Sequence, residues 1–134
     1  MKYKILEGAE QFSAEEVAGL LRTTYWADKR PVEQIEKSMR HSACYGIVPE
    51  GSDRLVGFAR VISDLATMFY LSDVVIDPEY RHRGLGTALL TYIETRPEYA
   101  GLRGFLITRD AQGLYEKFGY QIVNGRVMVR DPKE

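Results

Sequence analysis

Between Asp73 and Thr87 the sequence runs from an apolar strand, through Asp77-Pro78, into Arg81-His82-Arg83-Gly84-Leu85-Gly86-Thr87 at the head of an amphipathic helix. Glycines at such a place let backbone N–H groups approach a ligand closely. The free amides of a first helical turn, together with the helix dipole, favour an anion. Arg81, His82 and Arg83 add local positive charge to a chain whose formal net charge is only −1. A pyrophosphate fits this chemistry. A dinucleotide fold wants Gly-x-Gly-x-x-Gly directly at the strand end, whereas Leu89 occupies the third glycine's place here. A nucleotide-binding loop of the Gly-Lys-Ser/Thr type is absent as well.

Arg81-x-x-Gly84-x-Gly86, preceded by Val74-Val75-Ile76-Asp77-Pro78-Glu79-Tyr80, resembles the acyl-CoA signature of the GNAT N-acetyltransferase superfamily. Leu114-Tyr115-Glu116-Lys117-Phe118-Gly119-Tyr120 resembles the second signature of that family. The resemblance implies an acetyl-CoA-dependent N-acetyltransferase acting on a primary amine, with a small molecule as the first expectation for the acceptor. It implies that the amides of the Arg81–Thr87 turn, Leu85 and Thr87 included, hold the CoA pyrophosphate. The backbone of Val74, Val75 and Ile76 would pair with the pantetheine arm, and Tyr115 would be the general acid for the departing thiolate. Where the family often carries an asparagine against that arm, seven residues before the tyrosine, this chain has Thr108. The same residues also allow a module that binds acyl-CoA without turnover, or acetylation of a protein amine.

Acyl transfer makes three chemical demands. The amine must lose a proton, since a lysine-like amine has a pKa of roughly 10.4 in water. The oxyanion needs a donor, which amides around Val75 and Ile76 could supply. The thiolate benefits from a nearby acid. For the proton acceptor, Asp73 stands out because aspartate is disfavoured inside a strand. A turn over Asp64–Thr67 would bring Arg60 near Asp73 on one sheet face, so a structural Arg–Asp pair explains Asp73 as well as a base does. Asp64 is a further candidate base, though aspartate is ordinary in a turn. For the acceptor, the resemblance places the first two helices as walls. Tyr25 and Trp26 in their connection could pack on an amine, and Asp28 could attract a cation. Tyr25 also continues the first helix's apolar stripe, and Trp26 could equally fill a core gap.

The elements that must position these residues can be read from local signals. Lys2–Glu7 is a candidate strand. Ser13-Ala14-Glu15-Glu16 is a capping box with Phe12 and Val17 as its staple, and Leu20, Leu21 and Tyr25 extend the stripe. A second helix starts near Pro31, with Val32, Ile35 and Met39 on one face. Cys44–Val48, Leu55–Ser63 and Met68–Ile76 read as strands. Leu85, Ala88, Leu89, Tyr92 and Ile93 follow a helical period. Gly104–Thr108 reads as a short buried strand. Asp110 can cap a last helix carrying Ala111, Leu114, Tyr115 and Phe118 inward. Tyr120–Val123 and Arg126–Arg130 flank Asn124-Gly125, a strong hairpin signal. The order βααβββαβαββ predicts an α/β fold with a mixed sheet and helices on both faces.

The whole of 1–134 is expected to form one domain, because no linker or repeat interrupts it. With 45% hydrophobic and 28% charged residues, the composition is that of a globular chain. A single cysteine, Cys44, and two histidines argue against a disulfide framework or a metal centre. The charge balance offers nothing sustained to nucleic acid or to a membrane surface. No secretory leader is visible at the N-terminus, so a cytoplasmic location is expected. The last hairpin could pair edge to edge with a second copy, giving a homodimer.

Overall fold

The computed structural model describes residues 2–133. Its sheet has five strands: β1 (Tyr3–Glu7), β2 (Ala43–Pro49), β3 (Gly57–Ser63), β4 (Met68–Ile76) and β5 (Arg103–Phe105). They lie in sequence order, the first four antiparallel and β5 parallel to β4. Helices α1 (Ala14–Leu21) and α2 (Val32–Arg40) cover one face, packing Val17, Leu21, Ile35 and Met39 against Cys44 and Phe58. Helices α3 (Leu85–Glu94) and α4 (Gln112–Glu116) serve the other, where Leu89, Leu90, Ile93 and Tyr115 meet Tyr45, Ala59, Phe69 and Leu71. No helix among the described residues is long and apolar enough to cross a membrane.

Local chemistry sets the element starts. The Ser13 hydroxyl accepts from the Glu16 amide while Glu16 accepts from the Ser13 amide, a complete capping box. Phe12 and Val17 are both buried beside it. Pro31 is the N-cap of α2, and its extended backbone directs the chain into the helix.

Three expectations are corrected. Tyr120–Val123 and Arg126–Arg130 are not strands: the Asn124-Gly125 turn forms, but its arms stay unpaired, and Met128 is 96% exposed. A two-stranded ribbon is marginal without a further strand or helix against it, and β5, the nearest sheet edge, is only three residues long. The strand expected over Gly104–Thr108 forms only as β5, Arg103–Phe105, and it is not buried, since Phe105 and Ile107 face solvent. Asp110 does not cap α4; the Thr108 hydroxyl accepts from the Ala111 amide instead.

The register of β3 on β4 carries the most consequence. Arg60 lies opposite Ser72, but Phe58 lies opposite Val75, so Ala59 faces two residues, Asp73 and Val74. This is a one-residue bulge, and Asp73 takes the left-handed conformation at φ 55° to make it. Before the bulge, Phe69 and Leu71 pack toward α3; after it, Val75 packs toward α1. The bulge therefore swaps which side chains β4 shows to each face.

Candidate active site

The site is built where β4 and β5 part. Their pairing covers only Met68–Tyr70 with Arg103–Phe105, yet β4 continues to Ile76. Beyond Tyr70 the outer edge of β4 has no strand partner among the described residues, so the outward-facing backbone groups of Val74–Ile76, apart from the Ile76 carbonyl that accepts from Arg81, are open to a ligand. An extended amide-bearing chain can add to such an edge as a strand would.

At the end of β4, Asp77 accepts from the Glu79 amide and pairs with Arg54 at 2.8 Å, shaping the turn Pro78–Tyr80. Arg81 Nε donates to the Ile76 carbonyl at 3.2 Å, fastening the loop to the strand. His82 at φ 64° and Gly84 at φ 77° are both left-handed. That conformation costs a non-glycine residue roughly 1–2 kcal/mol. Alternating left- and right-handed residues build concave nests of N–H groups that suit anions. Gly84 is the N-cap of α3, and the first helical bond found is from the Ala88 amide to Gly84. The amides of Leu85, Gly86 and Thr87 are thus left without helical partners, and no acidic residue stands in that first turn. A Cβ on Gly86 would touch only Ile76, at 3.8 Å, so the fold does not require glycine there. Its bare surface is what a phosphate-bearing ligand needs. Arg83 lies over the Tyr80 ring, 5.1 Å from its centroid.

Tyr115 is buried among the α3-side apolar residues. Burial, with Asp110 nearby, pushes its phenol up to about 12. Among the described residues its hydroxyl makes no hydrogen bond, although no buried polar side-chain atom is left unsatisfied, so that oxygen is free for a ligand. Thr108, by contrast, is committed to the Ala111 amide.

Asp73 has two guanidinium partners. Its Oδ2 accepts from Arg60 Nε at 3.0 Å and from Arg30 at 2.7 Å, with only 3% of the side chain exposed. Arg60 also donates to Ser72 Oγ. The Arg60–Asp73 contact expected from sequence is present, but the bulge makes it. In an unbroken register Ser72 would share Arg60's face and Asp73 would point to the opposite one. Asp64 closes its own turn: the Thr67 and Ala66 amides and the Thr67 hydroxyl hold its carboxyl well below the usual carboxylate range.

Arg30 lies at the end of the α1–α2 connection, so its bond to Asp73 straps that loop to the bulge. Helix α1 ends at Leu21, and the Thr23 and Thr24 hydroxyls donate to the Leu20 and Leu21 carbonyls. The chain turns there, and Tyr25 leaves the apolar stripe: it is 49% exposed and Trp26 46%, with their rings edge to face at 5.1 Å. Core packing is thus excluded for both. Asp28 is exposed and has no ion-pair partner among the described residues. Arg109, just past Thr108, stacks on the Tyr25 ring at 3.7 Å. The loop therefore touches both sides of the parted strands. Nothing in the sequence marks Arg30 or Arg109, because their partners come from distant segments.

Replacing Arg30 by alanine removes one charged hydrogen bond and the strap. Stability should fall by about 1.5–3 kcal/mol. Acrylamide should quench Trp26, the only tryptophan, more efficiently than in the parent. An unchanged quenching constant together with an unchanged melting temperature would remove the strap from this account.

Residues 41–122 match the model of the acetyltransferase (GNAT) domain. The solved structure of a Xanthomonas campestris protein described as an acetyltransferase of the GNAT family superposes with a TM-score of 0.90 at 33% identity, covering 98% of this chain and 94% of that one. An uncharacterized N-acetyltransferase of Porphyra purpurea is 26% identical over 125 residues, 90% of this chain and 71% of the relative. One from Prochlorococcus marinus is 32% identical over 98 residues, 71% of this chain but only 54% of the relative's length. The parted strands, the glycine turn and these likenesses agree, and the chain belongs to the GNAT family of acetyltransferases.

Proposed function

We propose that this chain transfers the acetyl group of acetyl-CoA to a primary amine of a small molecule. One juxtaposition carries the reading: the unpaired outer edge of β4 runs directly into the free amides of α3. Bound acetyl-CoA supplies an activated thioester. The α3 amides, with Gly84 and Gly86 bare beside them, hold its pyrophosphate, assisted by the positive charge of Arg81 and Arg83. Backbone groups of Val74–Ile76 orient the arm and face the growing oxyanion.

Tyr115 donates a hydrogen bond to the sulfur as charge develops there. With its phenol at about 12 and a thiol near 8.5, complete proton transfer is uphill by about 5 kcal/mol, so stabilisation of the thiolate is the larger part of its role. Asp73, shared by Arg30 and Arg60, holds the bulge that sets the Val74–Ile76 edge. Tyr25 and Trp26 line the acceptor side.

Calorimetric titration with acetyl-CoA and with CoA tests the first half, and thiol release across a panel of primary amines tests the second. Micromolar binding followed by amine-dependent thiol release is the expected result. Binding without release for any amine would convert the reading to an acyl-CoA sensor, and absence of binding would end it.

A further inference from the structure

Charge around the acceptor side is unevenly settled. Asp73 is the only buried carboxylate there, and two guanidinium groups already share its Oδ2. What remains to attract an ammonium group is Asp28, exposed beside Lys29, and Asp110, exposed beside Arg109. Arg109 differs from Arg30 and Arg60 in having no carboxylate partner among the described residues. Its guanidinium lies 3.7 Å from the Tyr25 centroid, close enough for the ring to fix its plane. A stacked guanidinium has its face covered and its N–H edge free, the geometry that grips a carboxylate or phosphate with two parallel bonds. In the chain Arg109 follows Thr108 and precedes the helix of Tyr115, and its stacking on Tyr25 joins that segment to the α1–α2 loop.

We infer that Arg109, held flat on Tyr25, is a specificity-determining residue that reads an anionic group, carboxylate or phosphate, on the acceptor amine. This rests on the acetyl-transfer reading above. It also replaces Asp28 as the charged feature that selects the acceptor. The substrate class becomes small amines that carry a negative group a few bonds from the nitrogen.

Paired amines that differ only in the anion test it. Thiol release is measured with β-alanine against propylamine, and with O-phosphoethanolamine against ethanolamine. In the parent, kcat/KM should favour the charged member of at least one pair by about tenfold, the value of one charge-assisted contact. The pair that shows it tells carboxylate from phosphate. In Arg109→Ala the ratio should fall to about one, and Arg109→Lys, which keeps the charge without the planar fork, should lie between. A second readout needs no turnover. With CoA saturating, β-alanine and O-phosphoethanolamine are titrated against Trp26 emission, where a saturable change absent from Arg109→Ala is expected. Equal ratios in the parent would overturn the inference, as would a ratio that survives Arg109→Ala. So would a protein that binds acetyl-CoA by calorimetry but neither acetylates nor responds to any of the four compounds. Failure of acetyl-CoA itself to bind would bring down the cofactor reading and this inference with it, and the calorimetry tells the two cases apart.

Discussion

Gly86→Glu should lower acetyl-CoA affinity at least a hundredfold while leaving the free protein as stable as the parent or slightly more so. A Cβ at position 86 meets only an ordinary contact with Ile76, so the fold accepts a side chain. Replacing glycine in a helix gains roughly 0.5–1 kcal/mol. A carboxylate in the first turn of α3 adds about 0.3–1 kcal/mol through the dipole. For the ligand every one of these terms reverses. The carboxylate occupies the space and the amides a pyrophosphate would use, and repels its charge. Each lost charged hydrogen bond is worth about 1.5–3 kcal/mol, so two suffice for the predicted loss. Calorimetry reads the affinity and thermal melting reads the fold. A variant that melts like the parent and binds within threefold of it would show that the α3 turn is not the pyrophosphate site.

Tyr115→Phe should reduce kcat about tenfold to a hundredfold and leave acetyl-CoA affinity close to the parent's. The hydroxyl has no partner among the described residues, and phenylalanine keeps the ring in the same apolar cluster beside Tyr120, so folding is not the issue. General acid catalysis at its full strength contributes about 10²–10⁴. The smaller expected loss follows from the phenol's position at about 12, well above a thiol at about 8.5. The sign for pH is clear. A phenol raised to about 12 stays protonated through neutral and mildly alkaline solution, so Tyr115 adds no falling limb to kcat below about pH 11. A limb near pH 9 that vanishes in Tyr115→Phe would mean the phenol is far more acidic when the ligand is bound. An unchanged kcat would leave Tyr115 as a core aromatic.

Much of this protein was legible residue by residue wherever the signal was local. The capping box at Ser13, the helical period from Leu85, the strand Met68–Ile76 and the Arg81–Gly86 turn each depend on neighbours a few positions away. So does the exclusion of a dinucleotide loop, which turned on Leu89 and on the distance of the glycines from the strand end. The outcome was poorer where partners decide. Asn124-Gly125 marks a turn correctly, but whether its arms become strands depends on a sheet edge that β5 is too short to offer. Tyr25 keeps the helical spacing, yet the Thr23 and Thr24 hydroxyls turn the chain first and bring the ring to the surface. The bulge at Asp73 is invisible in sequence because a register shift belongs to two strands at once. The Arg60–Asp73 pair was expected, but only tertiary structure recruits Arg30 to it from a loop 43 residues away and lays Arg109 on Tyr25. The sequence by itself marked the anion-binding turn, because the arginines and glycines of Arg81–Gly86 are neighbours in the chain. The proposed acceptor side depends on the fold, because Tyr25, Asp73 and Arg109 come from segments that meet only when the sheet closes.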